Sequence, residues 1–274
     1  MPVRTILLHM APTESRHERF RVALDMAKRY GAHLEIAYMV TPVSMPTQVR
    51  GRGASSAYIA EAQQIAREKA VAIETEITEA CKQAGVSWSW EILEGNHNEL
   101  LAGRSHYADL VIVHADHGVS LEDYIGLHTP DDLLMMAVCP VLVLPGRKKI
   151  KTLGHRVMLA WKDCREAANV VHKGLSFLQE ARKVYVLTCD RPHHRFEAGR
   201  DINTYLERHG VAVEPVSDVA GGDVGDVILS YAHDLEIDLL MMGAYGHSRW
   251  REIVLGGTTH HILENIPVPL LMSH

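Results

Sequence analysis

The sequence predicts two tandem doubly wound α/β domains, each built on a five-stranded sheet. Three observations carry that prediction. The chain repeats: Asp109-Leu110-Val111-Ile112-Val113 recurs as Asp238-Leu239-Leu240-Met241-Met242, 129 positions on. At the same offset Pro140-Val141-Leu142-Val143-Leu144 recurs as Pro269-Leu270-Leu271-Met272-Ser273. Short apolar runs alternate with longer segments of helical periodicity, the order expected of α/β sheets with crossover helices. Runs such as Leu110–Val113 are apolar without alternation, as strands buried on both faces of a parallel sheet are.

In the first copy the strands are expected at 4–10, 33–40, 88–93, 109–114 and 140–144, with helices at 15–30, 56–84, 97–106 and 130–137. Helix 15–30 carries Phe20, Leu24 and Ala27 at helical spacing and stops at Tyr30-Gly31. In the second copy the strands are expected at 156–161, 183–189, 211–216, 238–243 and 268–273, with helices at 164–180, 196–209, 223–234 and 257–265. Near the start, Ile6-Leu7-Leu8 matches Val157-Met158-Leu159 at an offset of 151. The offset falls from 151 to 129, so the first copy carries 22 extra residues, much of them assigned to the Pro-, Gly- and Ser-bearing stretch Thr41–Ala57. The domains are expected over 1–146 and 154–274. Pro145-Gly146-Arg147-Lys148-Lys149 reads as an exposed connector between them.

Composition narrows the function. Lys and Arg total 28 against 34 Asp and Glu, a net charge of −6, which argues against a nucleic-acid binder that works by neutralising phosphates. The apolar runs are shorter than the roughly 18 residues that cross a bilayer, and the N-terminus reads as a strand. The four cysteines, Cys81, Cys139, Cys164 and Cys189, are scattered and form no CxxC, which suits reduced thiols in a cytoplasmic protein.

The segment that carries chemistry follows strand 238–243. Gly243-Ala244-Tyr245-Gly246 is followed by nine residues and then by Gly256-Gly257-Thr258-Thr259, which opens a helix. Glycines let backbone amides approach an anion, and a helix N-terminus adds unpaired N–H groups and a favourable dipole. The same glycines could also serve only the turn and close helix packing. The pattern G-x2-G-x9-G with a following hydroxyl residue resembles the ATP-binding signature of the universal stress protein family. The closing Val-Pro-Leu-Leu-Met resembles that family's last strand, and the resemblance spans nearly the whole chain as a tandem of two such domains.

The resemblance implies an adenine-nucleotide alpha-hydrolase-like fold with a five-stranded parallel sheet, and ATP with Mg, or a related nucleotide, as ligand. Carried to this chain, it implies a cradle of Gly243, Gly246, Gly256, Gly257 and Thr258, with His247 in the loop between the glycines. Trp161 is a candidate for stacking on the base. Gly257 stands where the family has Ser or Thr. Lys162, in Trp161-Lys162-Asp163-Cys164, replaces the family's Asp near the nucleoside; it can meet a phosphate as a point charge but accepts no hydrogen bond.

The first copy departs further. By the same offset Gly243 matches His114, Gly246 matches His117, Gly256 matches Leu127 and Gly257 matches His128, so this copy is not expected to hold ATP in the family's manner. Among 18 histidines, His114, Asp116 and His117 lie on a turn after a buried strand, and His9 ends the strand expected beside it. They read either as zinc ligands or as hydrogen-bonded side chains of a site that has lost its first use. No Ser-His-Asp or Cys-His set stands at a motif-bearing position, so no catalytic residue is assigned and slow ATP hydrolysis is the most expected. The chain thus reads as a nucleotide-binding sensor or regulator of a stress response. A scaffold without nucleotide and a metal-responsive protein are the alternatives. Members of the family it resembles pair through their last strands, which implies that 140–144 and 268–273 pair as an intrachain pseudo-dimer; covering an edge that otherwise invites aggregation supports it. Pairing of whole chains into a homodimer and further protein partners stay open.

Overall fold

The computed structural model describes residues 3–11, 13, 15–40, 54–115, 129–146, 149–190, 199–219, 222–245 and 257–274. The first half contains β1 (Thr5–Met10), α1 (Arg16–Tyr30), β2 (His33–Val40), α2 (Ala54–Ala84), β3 (Trp88–Glu94), α3 (His97–Ser105), β4 (Leu110–His114), α4 (Thr129–Met136) and β5 (Val141–Leu144). The second contains β6 (Arg156–Trp161), α5 (Arg165–Lys173), α6 (Leu175–Glu180), β7 (Lys183–Asp190), α7 (Arg200–Arg208), β8 (Val213–Val219), α8 (Val224–Asp234), β9 (Leu239–Gly243), α9 (Gly257–Asn265) and β10 (Leu270–Ser273).

The strands form a single ten-stranded sheet in the order β3-β2-β1-β4-β5-β10-β9-β6-β7-β8. Every pairing is parallel except the central one. There β5 and β10 run antiparallel, with Leu271 opposite Leu142, as the expected pairing of the two last strands requires. Because successive side chains point to opposite faces, β1 sends Ile6, Leu8 and Met10 into one core layer and Leu7 into the other. Helices α1, α2, α5, α6 and α7 cover the first layer, and α3, α4, α8 and α9 the second. Both halves keep the same helices on the same faces, so the layers are continuous across the seam.

The repeated aspartates do the same work in each half. Asp109 accepts from the backbone N–H of Arg4 (2.7 Å) and Thr5 (2.9 Å), and Asp238 from His155 (3.2 Å) and Arg156 (2.8 Å). Each carboxylate ties the foot of one strand to the start of its neighbour.

Two expectations are corrected. The helix read over 164–180 is two helices broken at Gly174. A Cβ there would meet Met241 Cε at 2.6 Å, Val170 O at 2.8 Å and Leu271 Cδ2 at 3.0 Å, so the glycine lets the helix backbone approach the sheet. The connector expected to be exposed over 145–149 is exposed at Lys149, but Pro145 is buried and Gly146 half-buried; just beyond it Ile150 is buried and pinned to α1, its N–H donating to Glu18 (2.6 Å) and its carbonyl accepting from Arg21 (2.6 Å). Arg147, Lys148 and most of the Thr41–Ala57 stretch lie outside the described residues. No described helix is long and apolar enough to cross a membrane.

Candidate functional site

The strand order fixes where a site can form. β6 has β7 on one side and β9 on the other, and β1 has β2 and β4 in the same way. Open α/β sheets hold ligands in the crevice beyond the carboxyl ends of strands at such a reversal. The two halves furnish that crevice differently.

In the second half β6 and β9 run side by side, with Ala160 opposite Met242, and end at Trp161 and Gly243. A Cβ on Gly243 would meet Ala167 N at 2.6 Å and the carbonyl carbon of Glu166 at 2.7 Å. The first turn of α5 therefore rests directly on this glycine. Ala244 follows, its N–H donating to the Ser273 carbonyl (2.9 Å) and its carbonyl accepting from His274 Nδ1 (3.0 Å). Tyr245 then adopts φ +55°, a left-handed conformation that disfavours a side chain, and its N–H points at Thr259 Oγ1, 3.5 Å away. Helix α9 begins at Gly257, which is exposed and, among the described residues, has nothing within 4 Å of where a Cβ would stand; Thr258 is half-buried and Thr259 buried. Lys162 is exposed just past the end of β6, and Trp161 is half-buried against the core layer under α5. Gly246, His247 and Gly256 lie outside the described residues.

Sequence reasoning passed over Glu166. This carboxyl is 8% exposed in the first turn of α5. Burial pushes its pKa up, but its own backbone N–H, the Cys164 thiol and the nearby Arg165 outweigh that and hold it below the usual range. Its only signal in the sequence is its place in the first turn of a helix, where acidic residues are common.

In the first half the crevice is filled by polar side chains. His9 is fully buried at the end of β1, His114 is 4% exposed at the end of β4, and Arg19, fully buried, reaches in from α1. Arg19 Nη1 lies 3.1 Å from His9 Nδ1, and Nη2 donates to Thr13 Oγ1 at 3.0 Å. The ring of His97, the first residue of α3 and 4% exposed, stands 5.4 Å from the His9 ring. Burial first, and then the Arg19 guanidinium, lower the His9 pKa well below its usual range. Burial and then Arg19 push His97 down to about 4.

His9 and His114 do converge, but not as a ready metal site. No described residues of this cluster bring three donor atoms within 4.8 Å of one another, and Asp116 and His117 lie outside the described residues. The single lone pair of neutral His9 already accepts from Arg19, so His9 has none left for a metal. Among the described residues the one group with three donors that close is Asp223, Asp226 and His261, at the surface between α8 and α9. Capping and pairing account for it: Asp223 accepts from Gly225 N–H at 2.7 Å at the start of α8, and His261 pairs with Asp226 at 2.8 Å.

The universal stress protein family model matches residues 2–145 and 190–274. Universal stress protein Slr1230 of Synechocystis is 30% identical over 137 residues, which are 48% of this chain and 46% of that protein, so the match spans about half the length of that relative. A universal stress protein from Archaeoglobus fulgidus superposes with a TM-score of 0.76 at 16% identity, over 98% of this chain and 95% of that one. A protein of unknown function from Pseudomonas aeruginosa PAO1 superposes with a TM-score of 0.61 at 18% identity, over 99% and 92% of the two chains. At such identities these likenesses establish the shared fold. The match of the family model to both halves establishes the rest: the chain belongs to the universal stress protein family.

Proposed function

We propose that the second half binds a nucleoside triphosphate, ATP with its Mg²⁺, in the crevice between β6 and β9, and that its occupancy makes the protein a sensor or regulator. The observation that carries this reading is the open start of α9. Among the described residues nothing stands within 4 Å of the Cβ position of Gly257, and a threonine hydroxyl follows directly. A helix start offers its first N–H groups and its dipole to an anion. Lys162 adds a point charge at the neighbouring strand end. The Mg²⁺ would arrive on the phosphates and keep most of its water. The first half is the degenerate partner, since His114 stands where Gly243 stands in the second. The proposed role is binding, with at most slow hydrolysis.

A scaffold without nucleotide is the second reading, and one observation favours it. Gly243 is explained by the backbone of α5 alone, with no ligand needed. Titration calorimetry of the full chain with MgATP decides between them. The expected result is saturable heat, weakened roughly tenfold or more, about 1.4 kcal/mol, in Gly257→Glu, whose carboxylate would enter the open space. Folded protein that gives no heat supports the scaffold.

A further inference from the structure

The helix that opens toward the second crevice needs something to aim it. Helix α9 is nine residues long and begins on a glycine, the residue with the widest backbone freedom. So short a helix is marginal by itself, and its neighbours must fix where its first N–H groups point. Thr259, Ile262 and Leu263 hold its buried face to the sheet. His261, half-buried on the flank of that face, ties it to α8.

That tie is specific. His261 Nε2 lies 2.8 Å from Asp226 Oδ1, and because a carboxylate only accepts, the imidazole N–H donates. Asp226 stands in the first turn of α8, three residues after the N-cap Asp223, whose Oδ1 accepts from the Gly225 N–H at 2.7 Å. Gly225 makes room for the ring. A Cβ there would meet His261 Cδ2 at 2.6 Å and Asp223 Oδ1 at 2.9 Å. A glycine inside a helix costs backbone entropy, and at this position it lets the imidazole and the capping carboxylate lie against the same turn.

The first half lacks all three parts. Counted from the N-caps Asn96 and Asp223, Asn98 takes the place of Gly225 and Glu99 that of Asp226. At the repeat offset of 129, Asp132 takes the place of His261. Asn98 buries a side chain where the second half has none, and Glu99 and Asp132 are two exposed acids, which repel rather than pair. The tie therefore occurs only in the half that keeps Gly243, Gly246, Gly256 and Gly257.

We propose that His261 is a positioning residue of the nucleotide site: its bond to Asp226 over Gly225 sets the rotation of α9 and so aims the N–H groups of the first turn at the crevice between β6 and β9. This inference rests on the nucleotide reading of that crevice. His261 lies four residues beyond Gly257, just over one turn into the helix, and the role needs no contact between the imidazole and a phosphate. A seat that is already oriented loses less of its binding energy to ordering.

The test is titration calorimetry of the full chain with MgATP at pH 7, on the wild type, His261→Gln, His261→Phe, Gly225→Asn and the double variant His261→Phe/Gly225→Asn. His261→Gln keeps a donor for Asp226 and should stay within about twofold of the wild-type affinity. His261→Phe should weaken binding roughly fivefold or more. Gly225→Asn, which leaves His261 in the chain but displaces its ring from α8, should lose as much. The double variant should be no weaker than the weaker single one, because both remove one interaction. Equal affinities across the folded variants, or a loss in His261→Gln as large as in His261→Phe, overturn the positioning role and leave the nucleotide reading in place. Folded wild type that gives no heat overturns both. Should Gly225→Asn fail to fold, the contrast between His261→Gln and His261→Phe decides alone.

Discussion

At the scale of single residues, two glycines whose Cβ positions are equally crowded can be held by different neighbours. Gly243 is held by sterics: a Cβ would meet backbone atoms at 2.6 and 2.7 Å, which cannot swing aside. Gly243→Ala should therefore push the first turn of α5 off the sheet and cost about 1–3 kcal/mol, read as a lower urea midpoint with unchanged slope. Gly225 meets an equally short distance, 2.6 Å, but from Cδ2 of the His261 side chain, which can rotate away. His97 supports a prediction about acid. Its folded value of about 4 lies below the roughly 6.5 of an unfolded histidine, so the unfolded chain takes up the proton first. The stability from its neutral form is complete above pH 6.5, falls as pH drops toward 4, and is gone below that. The full difference is on the order of 3 kcal/mol, with His9 acting in the same direction. His97→Gln removes that titration, so its stability should fall less steeply between pH 6.5 and 4 in phosphate-free urea melts. A slope identical to that of the wild type would mean that His97 is not held neutral by the fold.

At the scale of elements, what was legible was whatever repeats or alternates. All ten strands fall within two or three residues of their expected bounds, the central ones because they are short apolar runs closed by turns, while the edge strands β3 and β8 mix polar with apolar residues. The pairing of β5 with β10 followed from the family resemblance, whose members pair through their last strands, and from the exposed edge that each would otherwise present. The break in the helix expected at 164–180 was not, because apolar spacing continues through Val170, Val171, Phe177 and Leu178 on one face, all of them buried. Only the close approach of Gly174 to Met241 and Leu271 decides it, and those residues are about seventy and a hundred positions away. The crevice of the first half was half legible. His114 and His9 follow from strand order, but His97 and Arg19 come from α3 and α1, and no local spacing marks them. In the second half the start of α9 was legible from Gly256-Gly257-Thr258. The role of Gly243 was not, because packing and ligand approach favour the same residue.

At the scale of the whole molecule, the seam determines how the halves depend on each other. Leu271 lies opposite Leu142, and these are the same position of the repeat, 129 residues apart. Leu270 faces Val143 and Met272 faces Val141, so the register is symmetric about that central pair. The seam is thus a two-fold contact made by one chain with itself. All its residues are at most 1% exposed. A fragment of residues 154–274 would present the edge of β10 with Leu270, Leu271 and Met272 beside it, an unpaired strand that recruits another. The geometry of a partner is already built in, since a second copy of β10 could take the place of β5 with Leu271 opposite Leu271. The fragment should therefore sediment as a dimer at micromolar concentration. Leu271→Pro, which removes a backbone donor from a four-residue strand, should shift it toward monomer. In the full chain both edges of the seam are already paired, so the same strands offer nothing to a second molecule. A folded fragment that stays monomeric would show that the second half closes its own edge and that the seam is a contact of convenience.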